Sequence, residues 1–282
     1  MSKISKISTF KTVSTFLMSN KACSGTLFNV INGANGNRME NEEYSAMPFA
    51  GGILQNGYQC GQIWGAALAA GAEAYKQFGG NTKAECKAIL SAKRLVNSFN
   101  SLNKNINCYE ITELDKTSST KEMLKYFLLK GGTVACCKRA AKFAKVANKD
   151  INIVLSEELN QMPPAPVSCT SLLAKKKCLS DLHSTMLSGF AGGIGLCGGA
   201  CGALGAALWI FNFNSLINGE KKLQFKNPKA LDIIDKFLKA TNYEFECCKI
   251  IGEKFNSINE HSTFLEKGGC KELIDLLAKE LD

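Results

Sequence analysis

The chain has 282 residues, enough for one or two domains with cores of their own, and a formal net charge of +9 from 34 basic and 25 acidic residues. Its lysines are scattered among acids, as in Lys121-Glu122 and Lys271-Glu272, and it has neither an arginine-rich patch nor an aromatic RNA-binding motif, which argues against a nucleic-acid partner. Thirteen cysteines cannot all pair within one chain, and Met1 to Asn20 has no continuous apolar core to act as a secretory signal, so reduced thiols in a cytoplasmic setting are expected.

Taken in chain order, the opening segment is basic and Ser/Thr-rich, with no acid before Glu40. Asn32-Gly-Ala-Asn-Gly36 lacks the Gly-Lys-Ser/Thr of a phosphate loop and reads as a turn. Apolar residues at three- and four-residue spacing predict helices over Ala66 to Phe78 and Ala84 to Phe99. Glu122 to Val146 also reads as helical, with a break at Gly131-Gly132, and Asp150 to Leu155 is the best short strand candidate. Pro163, Pro164 and Pro166 fix an extended backbone and predict a linker. Beyond it Ser171 to Met186 predicts one helix, and Phe190 to Phe211 is an uncharged apolar run long enough to span a membrane. Glycines crowd the first half of that run, and the corresponding strip of the first half-chain carries Gln55, Asn56, Gln59 and Gln62, so a buried core segment is expected rather than membrane association. Pro228 to Ala240, started by Asn227-Pro228, and Lys271 to Leu281 complete the helices, and the expected class is all-α.

The chain also repeats itself. Phe49-Ala-Gly-Gly-Ile53 followed by Cys60-Gly61 returns as Phe190-Ala-Gly-Gly-Ile194 followed by Cys201-Gly202, and Phe127-Leu-Leu-Lys-Gly-Gly132 returns as Phe264-Leu-Glu-Lys-Gly-Gly269. This predicts two tandem homologous helical modules, residues 1–160 and 169–282 joined by a Pro-rich linker at 161–168, each with a Gly-rich loop leading into a Cys-Gly helix. A duplicated chain leaves an intramolecular pseudo-dimer or a homodimer open.

The repeated positions pair Cys60 with Cys201, Cys108 with Cys248 or its neighbour Cys247, Cys137 (or Cys136) with Cys270, and Cys23 with Cys178. Four thiols per module suit a tetrathiolate site holding an iron-sulfur cluster or zinc, although no Cys-x-x-Cys knuckle is present. The expected ligands are Cys23, Cys60, Cys108 and Cys137 in one module and Cys178, Cys201, Cys248 and Cys270 in the other. Gly51, Gly52, Gly61, Gly192, Gly193 and Gly202 are expected to line the cofactor, where glycine lets backbone come close and amides donate to sulfur. Cys86, Cys169 and Cys197 have no counterparts and read as core fillers. Disulfides within Cys136-Cys137 or Cys247-Cys248 would be strained, so these pairs read as spare ligands or core thiols. His183 and His261 occupy no corresponding positions, which excludes a Cys-His nucleophilic pair common to both modules, and no catalytic residue is assigned.

Gly189 to Leu204, with its glycine-rich run into Cys201-Gly-Ala203, resembles the redox-active C_GCAxxG_C_C family, named for its cysteine pattern. The resemblance covers most of each half and implies a redox-active protein that binds an iron-sulfur cluster through four cysteines per module and transfers electrons with a redox partner protein. It departs from the pattern at Gln62, where the family has Ala, and at Ala206, where it has Gly. The alternatives are a structural zinc or other metal-binding interaction module and a metal-free thiol-disulfide protein.

Overall fold

The computed structural model describes residues 7–19, 21–159, 162–220 and 223–282. Met1 to Lys6 and Asn20 of the predicted opening segment, and Gln161 of the predicted linker, lie outside them. The first module contains α1 (Thr9–Met18), α2 (Ala22–Ala34), α3 (Glu40–Ser45), α4 (Gly61–Phe78), α5 (Thr82–Asn103), α6 (Cys108–Thr112), α7 (Thr120–Leu124) and α8 (Gly132–Ser156). The second contains α9 (Cys169–Lys176), α10 (Asp181–Ser188), α11 (Gly202–Ile217), α12 (Pro228–Ala240), α13 (Cys247–Ile251), α14 (Ile258–Glu266) and α15 (Lys271–Lys279). The architecture is all-α, and α2 to α8 correspond in order to α9 to α15.

Local chemistry explains most of the boundaries. The side chains of Asn81, Ser119, Ser168, Ser180, Asn227 and Ser257 each accept a backbone amide at the start of a helix, satisfying a donor that has no partner within the helix. Ser180 also explains why Ser171 to Met186 is two helices: α9 ends at Lys176 with Lys177 as its cap, Cys178 turns left-handed with φ 56°, and α10 starts afresh. Asp150 to Leu155 is the last part of α8 and not a strand. Its apolar residues Ile151, Val154 and Leu155 sit three and four apart, so one helical face buries them, while Asp150 accepts from Arg94 Nε at 2.9 Å and from Ser98 Oγ at 2.6 Å across the α5–α8 contact. Phe190 to Phe211 divides into a Gly-rich loop and the buried α11, and among the described residues no helix is long and apolar enough to cross a membrane.

The modules pack through corresponding surfaces. Helix α4 lies against α10 and α11 lies against α3, the reciprocal arrangement of an isologous interface. On the local axis, residues meet their own counterparts. Phe49 and Phe190 stand edge-to-face with centroids 5.3 Å apart, and the Trp64 ring covers Gly205, where a Cβ would run into it. Trp64 also stacks on Phe49 at 4.7 Å and meets Phe190 edge-on at 4.7 Å. Two tryptophans could not occupy this place and two glycines would leave a void, so the fused chain has made the axis complementary by using one of each. Trp209, one helical turn further along, instead donates from Nε1 to Glu42 O at 3.1 Å. The connection between the modules is fastened by α14, whose Ser262 Oγ donates to Pro164 O at 2.7 Å and whose His261 Nδ1 stands 3.0 Å from Val167 O.

Because Trp64 is fully buried and its Nε1 has no hydrogen-bond partner, its contribution is that of shape and apolar area. Urea unfolding should show Trp64→Ala losing about 3–5 kcal/mol and Trp64→Phe losing distinctly less.

Candidate functional site

Each module builds its cysteine site on one short clamp. Gln59 and Asn107 form an isolated antiparallel bridge, and so do Ala200 and Glu246. The residue after each bridge member is a cysteine. Cys60 N donates to Ile106 O at 2.8 Å and Cys108 N to Tyr58 O at 2.7 Å; Cys201 N donates to Phe245 O and Cys247 N to Gly199 O, both at 2.7 Å. Cys60 and Cys201 then act as N-caps of α4 and α11, while Cys108 and Cys247 open α6 and α13. The clamp therefore selects Cys247, not the predicted Cys248, as the counterpart of Cys108.

The third cysteine opens the first helix of each matched set. Cys23 in α2 and Cys169 in α9 each face a glycine amide of the Phe-Ala-Gly-Gly turn, Gly51 and Gly192 respectively, which offsets part of the burial that raises the thiol. The hydroxyl that follows each cysteine fastens it equivalently: Ser24 Oγ donates to Ala46 O and Thr170 Oγ1 to Leu187 O, both at 2.7 Å. Cys169, expected as a filler, thus takes the place predicted for Cys178, which is exposed at the end of α9. The sequence did carry the signal, a hydroxyl residue directly after both Cys23 and Cys169. The match of Lys-Ala-Cys23 to Lys-Lys-Cys178 obscured it.

The fourth thiol is Cys136 in the first module and Cys270 in the second. Cys136 lines the same cavity as Cys23, Cys60 and Cys108, whereas the predicted Cys137, one residue on along α8, is buried outside that lining. Adjacent helical residues diverge by about 100°, so only one of the pair can face the site. Cys86 is buried in the core, as expected of a filler, and Cys197 is partly buried.

Two polar residues outside the predicted set belong to the first site. Arg139 Nη1 lies 3.5 Å from Cys136 Sγ, and Gln62 Nε2 donates to Cys136 O at 3.1 Å. Gln62 is the departure from the family's alanine, and it anchors α8 at Cys136. Counting from Cys270 as the counterpart of Cys136, Arg139 corresponds to Leu273, so the two sites differ in local charge.

The cavity of the first site measures about 230 Å³ and is lined by Cys23, Cys60, Cys108 and Cys136, with Phe16, Met123 and Phe127 among its apolar walls. Burial and the neighbouring sulfurs Cys108 and Cys136 push the Cys23 thiol up to about 12. Burial takes Cys108 up to about 11 against the opposing hydrogen bond with Thr112. Cys60 is held well above the ordinary thiol range by burial and by the neighbouring sulfurs Cys23, Cys108 and Cys136. In the second site burial raises Cys169, Cys201 and Cys247, and it takes Cys270 up to about 12, with Cys201 adding to the effect. Four thiols so placed cannot ionise together without a compensating positive charge.

Of the predicted glycines, Gly51 and Gly192 are those whose amides reach sulfur. A Cβ on Gly61 would stand 2.8 Å from Phe49 O and 2.9 Å from Cys23 Sγ, so glycine is what allows α4 to start against the thiol. Gly52, Gly193 and Gly202 are closed against backbone instead, at Tyr58, Gly199 and Phe190, and shape the turn. The two sites stand back to back. Gln59, which precedes Cys60, accepts through Oε1 from the amide of Ala200, which precedes Cys201, at 2.8 Å.

A family model described as "Putative redox-active protein (C_GCAxxG_C_C)" matches residues 21–149 and 167–282. The chain belongs to this family. It carries the family's cysteine-rich, redox-active module twice. Comparison with curated proteins and with solved structures finds no match.

Among the described residues, no three His, Cys, Asp or Glu are grouped to hold a single metal ion. A tetrahedral zinc bound at 2.3 Å per sulfur would need its sulfurs about 3.8 Å apart. Thiols ranged around a cavity suit a larger, multi-atom group with four cysteine ligands.

In metal-free protein at pH 7.5, the raised pKa values leave the cavity thiols protonated and slow to react. Timed iodoacetamide labelling read by peptide mass spectrometry should modify exposed Cys178 well before Cys23, Cys60, Cys169 or Cys201.

Proposed function

We propose that this chain is an electron-transfer protein whose modules hold iron-sulfur clusters through Cys23, Cys60, Cys108 and Cys136 and through Cys169, Cys201, Cys247 and Cys270. The observation that carries this reading is the cavity ringed by the four thiols of the first module, three of them set by a backbone pattern that recurs in the second. A cluster bound there supplies a one-electron centre. The chain's own groups set its surroundings. The amides of Gly51 and Gln62 point at Cys23 and Cys60, and Arg139 adds a positive charge beside Cys136; all three favour the sulfur-centred negative charge that grows on reduction. Phe16 of α1 and Phe225, contributed by the second module, help cover the cavity and limit water.

Anaerobic reconstitution with iron and sulfide, followed by metal and sulfide analysis and an optical spectrum, tests the reading. We expect a brown protein with acid-labile sulfide, loss of first-site iron in Cys136→Ser but not in Cys137→Ser, and loss of second-site iron in Cys169→Ser but not in Cys178→Ser. Stoichiometric zinc without a reducible chromophore, or disulfide formation without any bound metal, would contradict it.

A further inference from the structure

The two modules treat one corresponding segment in opposite ways. In the second module α14 packs down: Leu265 is 6 % exposed, and the Phe264 ring lies against Gly269. In the first module α7 runs into a single π-turn, Lys125–Leu129, closed by Lys130 N donating to Lys125 O at 2.9 Å. The extra residue in that turn shifts the register, so that Tyr126 rather than Phe127 covers the corresponding Gly132. Phe127 is released to line the cysteine cavity together with Met123, and Leu128, the sequence counterpart of Leu265, is 71 % exposed. Leu124, Leu129 and Val134 are exposed beside it, which leaves a cluster of apolar side chains at the edge of the cavity that no described residue covers.

Charge says what suits this face. From Lys116 to Lys142 the chain carries seven Lys or Arg and one acid, Glu122, which is held by the Ser119 amide and hydroxyl in the cap of α7. The corresponding stretch of the second module, Glu253 to Leu276, carries three Lys and five Asp or Glu, and Glu266 stands where Leu129 stands in the first. A second copy of this chain, with its net charge of +9, would on balance bring like charge to the basic rim.

We infer that the π-turn face of the first module, centred on Leu124, Leu128 and Leu129 and rimmed by Lys121, Lys125 and Lys130, docks an acidic one-electron carrier protein over the first cysteine site. The inference rests on the electron-transfer reading for what passes across the contact: one electron leaves the reduced carrier and enters the first-site centre, with no group transferred. Carrier acids would meet the lysine rim and steer the encounter, while its apolar centre would cover the leucines. The second module, lacking such a face, would exchange electrons by way of the first, for which the Gln59 to Ala200 hydrogen bond offers the short covalent and hydrogen-bonded route.

The test uses the full chain and a plant-type ferredoxin as the acidic carrier, with binding measured by calorimetry at low and high salt, on protein both with and without iron. Low-salt binding should weaken at least tenfold in Leu128→Ser/Leu129→Ser, and separately in Lys121→Glu/Lys125→Glu, while Lys267→Glu/Lys271→Glu in the second module leaves it unchanged. These side chains are exposed, so circular dichroism and unfolding of the variants should match the parent. Absence of binding, binding indifferent to salt or to the first-module substitutions, or transfer of the same dependence to vesicles containing phosphatidylserine in place of ferredoxin would overturn the inference. Because docking is read without iron as well, failed cluster reconstitution and failed docking are separate results.

Discussion

The structure depends on holding buried thiols near one another although each is driven towards its neutral form by burial and by its neighbours. That arrangement needs rigid backbone, and the single antiparallel bridge in each module supplies it. Gln59 with Asn107, and Ala200 with Glu246, bring together two chain segments some fifty residues apart, and the next residue on each strand of the bridge is a cysteine. The Phe-Ala-Gly-Gly turn then folds back so that Gly51 and Gly192 present amides to Cys23 and Cys169. The repeated glycines are explained by this double duty: some donate to sulfur, and others let two backbones touch.

Fusion of two modules has let a formerly equivalent pair of surfaces diverge. At the axis Trp64 fills the space above Gly205, and Gln59 bonds the backbone of Ala200, its own counterpart. Neither contact has a mate related by the repeat. The same divergence reaches the sites. The first module has Gln62 and Arg139; the second has Ala203 and Leu273 at those places. Two cysteine sites of common backbone design therefore sit in different electrostatic surroundings.

Much of the fold was legible in the sequence because duplication and helical period are both local patterns. Pro228 to Ala240 is helical over the predicted span with Asn227 as its cap, and Ala66 to Phe78 and Ala84 to Phe99 fall inside longer helices. The candidate site was legible in part: Cys23, Cys60, Cys108, Cys201 and Cys270 belong to the two groups, while Cys136, Cys169 and Cys247 replace Cys137, Cys178 and Cys248. Those exchanges have a common physical cause. Between adjacent cysteines the choice turns on helical phase or on which amide joins the bridge, and for Cys169 it turns on the hydroxyl bond of Thr170 to the distant Leu187. The π-turn was invisible for a related reason, since Phe127-Leu-Leu and Phe264-Leu-Glu read alike and only the inserted backbone turn separates them. Asp150 to Leu155 misled because a run with apolar residues at 151, 153, 154 and 155 fits either period over so short a window.

The most direct test of the central claim, two cysteine groups each surrounding a multi-atom iron centre, is an anomalous difference map at the iron edge from crystals grown without oxygen. The account predicts density inside the group of Cys23, Cys60, Cys108 and Cys136, and inside the group of Cys169, Cys201, Cys247 and Cys270. Iron density beside Cys137, Cys178 or Cys248, or a compact single-ion peak at the zinc edge in their place, would contradict it.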